Sequence, residues 1–505
     1  MINNKTILII YLLLGTLIWG QLNNEARMLG LNGSYTAIAK GYQCIGVNPA
    51  NLAVYNYNTY NVLNLSMGIS NNAFSITNYN AINGANLEDT LSFTYYPKSH
   101  FYDMFGGQGI RLMQTINLPL PLLNFSFRNF ALTSNFSSNM DFGIPNGLID
   151  LLLYGNPIGS SISINMNQSS IITQDIGVSY GHSFNNFSIG FTLKYILGLF
   201  YMGMKSIDTP YITTDINGFT GQNSYLIQQA IGGDGIGVDF GLTTNEPKNG
   251  YKFGFSIINM MGTILWTQDH FMRKELENTM KNSAGDFYLR PNEFMYVNMV
   301  MDSVTGQSFS ETGADPLIYY EMYKVIPIEK LSEVVMTSQD SALVVPLKDE
   351  SYYFPSGGEY KLSDLIGDGD TTYTISDKYK QYTVDNESPF QTRQPMYLRL
   401  GLSRKWKDQV ILAGDLVTGF SNNFGSSTTW RASVGAEIIR FKGNFLRLGY
   451  ALGGISKKSM SLGYGRRLGL LQWDVGMSFN GGISLETAKG FDFAMGVIWK
   501  TGNPK

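Results

Sequence analysis

The residues best equipped for chemistry are few, and most are badly spaced for it. Asp364, Asp368 and Asp370 in DLIGDGD gather three carboxylates that could offer oxygen ligands to calcium. No glutamate stands at the twelfth position of such a loop, so the run is not an EF-hand, and an acidic surface turn is the simpler reading. His100, His182 and His270 are the only histidines and lie too far apart to act as paired metal ligands. His182 adjoins Ser183, yet nucleophilic catalysis needs a third, orienting group beside them. Cys44 stands alone, which excludes an intramolecular disulfide and a thiolate zinc cluster and fits a small buried residue. These residues imply neither an enzyme nor a cofactor.

A second set of charges makes sense only through the elements that carry it. Lys194, Asp239, Lys252, Arg399, Asp415, Arg431, Glu437, Arg447, Arg467, Asp474 and Asp492 each interrupt a run that alternates apolar with small or polar residues. In FDFAMGVIWK, Phe491, Phe493, Met495, Val497 and Trp499 share one face of a strand, and Asp492, Ala494, Gly496 and Ile498 share the other. LQWDVGMSFN, WRASVGAEII and MYLRLGLS repeat the pattern. A soluble all-β protein would coat its second face densely with charge, whereas here that face is Gly, Ser and Ala with isolated charges. Trp430, Phe491 and Trp499 at strand ends suit the aromatic girdles of a membrane barrel. Lys or Arg on the lipid face at mid-depth would cost about 2–4 kcal/mol, so these charges are expected to point into a lumen. There they would pair with one another and with a plug, or line a solute path.

Composition agrees with a barrel. Of 505 residues only 15% are charged, 55 are Gly, and mean hydropathy is -0.07. No uninterrupted apolar run of about 18 residues follows the N-terminus, so transmembrane helices are not expected, and alternation hides strands in a neutral average. A net charge of -3 gives no reason to expect a nucleic-acid partner. Residues 1–20 read as a secretory signal, with Lys5 before the apolar TILIIYLLLGTLIW and cleavage expected near Gly20; an uncleaved anchor is the alternative.

The expected architecture is an all-β transmembrane antiparallel barrel of about fourteen strands. These are 63–70, 72–79, 124–133, 171–181, 187–201, 236–243, 251–258, 396–404, 408–417, 429–438, 445–452, 459–467, 471–479 and 490–499. Residues 58–258 carry the first seven and 396–505 the rest. If the last strand descends, the connections 182–186, 244–250, 405–407, 439–444 and 468–470 fall on one side, and all are short. Most of those on the other side are long, as in bacterial barrels. The longest, 259–395, is acidic: 21 acidic and 11 basic residues lie between Thr267 and Gln394. A loop of that size is expected to fold as a cap, with a helix in FMRKELENTMKN and strands in SALVVPL and TTYTIS.

Residues 21–57 lack sustained alternation and read as compact turns with a short helix. Asn48, Pro49 and Ala50, preceded by GSYTAIAKGYQCIGV, resemble the N-terminal segment of FadL-type outer-membrane transporters and related PorV-like barrels. GGDGIGVDFGLTTNEPKNGYKFGFSIINMMGTILW is similar to a mid-barrel hairpin of the same superfamily. Lys40, Gly41 and Asn51 depart from its usual pattern. The resemblance implies a lumenal hatch and the outer membrane of a Gram-negative bacterium, with outer-membrane lipid around the wall. It also implies passive uptake or binding of hydrophobic small molecules, with lateral exit through the wall. The rival implication is a plugged barrel whose insertion docks a secreted or surface protein.

Overall fold

The computed structural model describes residues 25–54, 58–105, 109–216, 218–245, 250–267, 270–284, 390–407 and 409–501, and the backbone of six short strands between 294 and 374. Fourteen strands form the wall. They are β1 (Asn58–Asn71), β2 (Ile110–Pro119), β3 (Phe130–Ile144), β4 (Asn167–Ser183), β5 (Phe187–Asp215), β6 (Gly218–Thr244) and β7 (Tyr251–Ile258). The second seven are β8 (Tyr397–Trp406), β9 (Val410–Gly419), β10 (Arg431–Ile438), β11 (Asn444–Gly453), β12 (Lys458–Leu468), β13 (Leu471–Asn480) and β14 (Gly490–Thr501). Each pairs antiparallel with its neighbours in sequence, β7 with β8 across the long insertion. The ring closes through β1 and β14, from Asn58 opposite Thr501 to Ser70 opposite Gly490.

Alternation sets the two faces. Along β14 the side chains of Asp492, Ala494 and Ile498 are buried, while Phe491 and Trp499 are exposed. Leu400, Leu402, Val434, Leu446, Leu448 and Leu462 continue the exposed apolar band around the wall. An outward face of this kind is favourable only against lipid, so the wall is a transmembrane barrel.

The count of fourteen holds, but two of the expected strands do not. Residues 72–79 are no strand: the Asn71 carboxamide accepts from the Ala73 and Phe74 amides, and Ser75 caps the helix α3 (Ile76–Ile82) by accepting from the Asn78 amide. The missing strand is β2. Residues 124–133 are a hairpin rather than one strand, since Arg128 takes φ of 51° and Phe127 pairs with Phe130. β5 and β6 also outrun expectation, at 29 and 27 residues, and project together past the rim.

Long connections gather at that rim. The 72–105 and 145–166 segments pack on each other through Ala73, Phe105, Ile149 and Leu153. Within the insertion, Thr263–Trp266 adds to β6 and Phe390–Arg393 adds in turn to that strand. The helix α6 (Phe271–Ala284) follows, and Phe294–Asp302 pairs with β6 between Thr220 and Gln228. Leu317–Pro327 and Ala342–Pro346 extend the sheet. Inside the ring lies the N-terminal segment, with α1 (Ala26–Gly30) and α2 (Asn51–Val54), buried almost throughout.

Candidate functional site

The lumenal segment is clamped by the charges that the strands point inward. Arg27 on α1 donates from Nε and Nη2 to the two carboxylate oxygens of Glu437 at 2.9 and 2.7 Å. Arg447 donates from Nε to the same carboxylate at 2.8 Å and lies 2.7 Å from Asp474 through Nη1. Gln472 donates to Asp474 and accepts from the Lys500 ammonium, each at 2.7 Å. One carboxylate thus separates two buried guanidinium groups, a geometry in which no partner can be removed cheaply.

A second clamp holds the next turn. Oδ2 of Asp415 accepts from the amides of Tyr35 and Thr36 at 3.0 and 2.9 Å, and from the Thr36 hydroxyl at 2.6 Å. Arg399 donates to that hydroxyl, to the Gly33 carbonyl and to Asp415. Arg431 donates to the carbonyl and side chain of Asn32, and Asp492 accepts from Asn480. Arg467 is not in this company: it is exposed at the short-turn rim and donates to the Gly469 carbonyl.

The Asn48-Pro49-Ala50 step is built into the wall by hydrogen bonds and close contact. Asn48 Nδ2 donates to the carbonyls of Thr36 and Leu242, and its Oδ1 accepts from the Ala50 amide. Asn51 donates to the Thr36 carbonyl and accepts from Lys252 at 3.0 Å. Small strand residues let the two backbones approach. A Cβ on Gly190 would stand 2.3 Å from the Pro49 carbonyl carbon, and one on Gly463 would stand 2.8 Å from the Gly30 Cα. The Gly and Ser face of the strands is therefore the surface against which the segment packs.

On the opposite side of the segment the lumen is open. A cavity of about 170 Å³ lies between Tyr42, Gln43 and Ile45 of the segment and the inner faces of β2, β3 and β4. Amide and hydroxyl side chains, including Asn64, Asn117, Asn135, Ser137 and Thr173, share its lining with Ile171, Ile258 and Phe424. Lys194 reaches it too, held by Asp239 at 2.8 Å and by Asn259 at 2.7 Å. Glu25 also borders the cavity, and burial pushes its carboxyl up to about 7.

Here the wall itself is interrupted. β1 pairs with β2 from Ser66 to Asn71, then with Phe125 and Ser126 at Thr59 and Tyr60. Between the two pairings the chain makes an excursion, 120–124, that exposes Leu122 and Leu123, with φ of 64° at Leu122. Irregular backbone facing lipid must find its partners locally. Asn61 Nδ2 donates to the Pro119 carbonyl at 2.9 Å, and Asn124 Nδ2 donates to the carbonyls of Leu120 and Ser134 at 2.9 and 2.8 Å. These two carboxamides, with backbone bonds from the Asn61 amide to the Asn124 carbonyl at 2.8 Å and from the Leu122 amide to the Asn61 carbonyl at 3.0 Å, stand in for the regular ladder.

The remaining candidates are dispersed. His100 lies on α4 (Lys98–Asp103), His182 packs on Phe184, and His270 sits 3.4 Å from Asp234 near the start of α6. Among the described residues no group of three or more His, Cys, Asp or Glu could hold a metal ion. Asp364, Asp368 and Asp370 lie outside the described residues, as does the signal segment 1–20. The buried charges follow from strand alternation, and the Asn48-Pro49-Ala50 step stands out as a motif. Asn61, Asn124 and Phe424 carry neither signal, since each is a polar or aromatic residue at an irregular position.

Fold and lumen together define a closed fourteen-stranded transmembrane barrel with a folded segment inside it. A family of unknown function, DUF5723, matches residues 49–229. No curated protein matches the chain. Among solved structures it is similar to the CymD monoaromatic hydrocarbon channel, at 11% identity over 96% of this chain and 99% of that one, TM-score 0.41. The Pseudomonas putida toluene transporter TodX is 10% identical over 96% and 99%, TM-score 0.43. A Pseudomonas aeruginosa FadL homologue is 11% identical over 95% and 99%, TM-score 0.43.

Proposed function

We propose that this protein is an outer-membrane barrel that takes up or binds small hydrophobic molecules passively, with residues 25–54 as its hatch. The observation that carries the reading is the position of the cavity, bounded by the hatch on one side and by the 120–124 interruption of the wall on the other. A molecule held there has the wall's irregular segment beside it and lipid beyond, so apolar transfer alone would draw it outward. The amide and hydroxyl lining favours a cargo with a polar end as well as an apolar body. No covalent chemistry enters this route.

Uptake of a labelled fatty acid into proteoliposomes tests it. Ser137→Trp fills the cavity from β3 without touching the clamps on Arg27 and Thr36, and uptake should fall to the level of protein-free vesicles. Undiminished uptake by that variant refutes the cavity as the route.

A further inference from the structure

The lumen holds a second, larger space. About 450 Å³ lies toward the long-loop rim, lined by Arg111, Asp141, Gln168, Tyr201, Gln228 and Asn422 among others. Phe424 borders both this outer vestibule and the cavity above the hatch, and among the described residues no other borders the two. It is carried by the connection 420–430 between β9 and β10, which folds into the barrel: Phe424 is 5% exposed and Ser426 is 0% exposed.

The loop is fastened where it enters. Gly419 donates its amide to the Ser427 carbonyl at 2.8 Å, and Asn422 Oδ1 accepts from the Thr428 amide at 2.9 Å. Arg111, paired with Asp141, donates to the Asn422 carbonyl at 3.2 Å. At the tip Phe424 takes φ of 49°, an unusual conformation for a bulky residue, and Gly425 follows at 76°. The ring lies 6.3 Å from that of Tyr201, nearly perpendicular to it, within the buried cluster of Ile171, Ile196, Ile264 and Trp266. A left-handed aromatic residue held by packing at the junction of two cavities is a position where strain is kept for a purpose.

The geometry points to Phe424 as the constriction of the lumen, the side chain that limits by size which solutes pass from the vestibule to the hatch. This rests on the lumen being a route, but its test reads access and not uptake. Asn135→Cys places a thiol in the cavity below the ring, and Gln168→Cys places one in the vestibule above it. Cys44 is buried and leaves little background. The rate of modification by a charged, water-soluble thiol reagent is measured on the purified, full-length barrel.

With Phe424 in place, the Asn135→Cys thiol should react more slowly than the Gln168→Cys thiol. Adding Phe424→Ala should speed the Asn135→Cys reaction about ten-fold, as loss of ~1.4 kcal/mol of barrier does, and leave the Gln168→Cys rate alone. Phe424→Gly should do the same while relieving the left-handed backbone, which separates removal of the ring from damage to the loop. Equal rates at the two reporters with Phe424 present, or a rate at Asn135→Cys that neither substitution changes, would overturn the assignment. Either result leaves the uptake experiment with Ser137→Trp to stand or fall by itself.

Discussion

The two sides of the lumenal segment are held in different ways. Toward β8–β13 it is fixed by Arg27, Glu437, Arg447, Arg399 and Asp415, all buried and all joined by short polar contacts. Toward β1–β3 it is held through neutral groups: the Tyr42 amide donates to Thr59 Oγ1, the Tyr42 hydroxyl donates to Asn61, and beyond them the cavity begins. Charge pairs desolvated on one side give a fixed platform, and neutral amides on the other leave space that can exchange occupants. A segment built this way is fixed to half the barrel and faces open space along the other half.

The comparison breaks most severely at Glu437. Replacing it with Gln leaves Arg27 and Arg447 buried without the carboxylate between them, and the folded barrel should lose about 3–5 kcal/mol, read as a lower temperature for loss of the compact band in heat-modifiability gels. Asp415→Asn keeps an acceptor for the Tyr35 and Thr36 amides but removes the charge facing Arg399. Its loss should be about 1.5–3 kcal/mol by the same measurement, since hydrogen bonds to charged groups are worth that much. On the cavity side Tyr42→Phe removes a single neutral hydrogen bond and should cost only about 0.5–1.5 kcal/mol. A Tyr42→Phe loss as large as that of Glu437→Gln would erase the distinction between the sides.

Much of this arrangement was legible because alternation is a direct consequence of strand geometry. Asp492, Asp474, Glu437 and Arg399 could be assigned inward from their neighbours alone, and burial of each at 3% or less follows from that parity. β2 was hidden for a physical reason as well. In IRLMQTINLP, Gln114 falls among apolar residues on one face and Met113 among polar residues on the other, so neither face reads cleanly. The expected strand 72–79 alternates only weakly, with Phe74 and Ile76 the apolar pair on one face, and Asn71 and Ser75 offer its backbone local partners instead. Phe424 carried no periodic signal: a lone aromatic followed by Gly in SNNFGSSTT marks a turn, and only the fold shows that the turn points inward.

The contact between Arg27 and Glu437 joins residues 410 positions apart, and the seam between β1 and β14 joins the first wall strand to the last. The segment stands near the start of the chain, and the strands that grip it stand near its end. Its charged partners are complete only once β10–β13 are in place. An error in that segment should therefore surface as a failure to close the barrel, late and all at once.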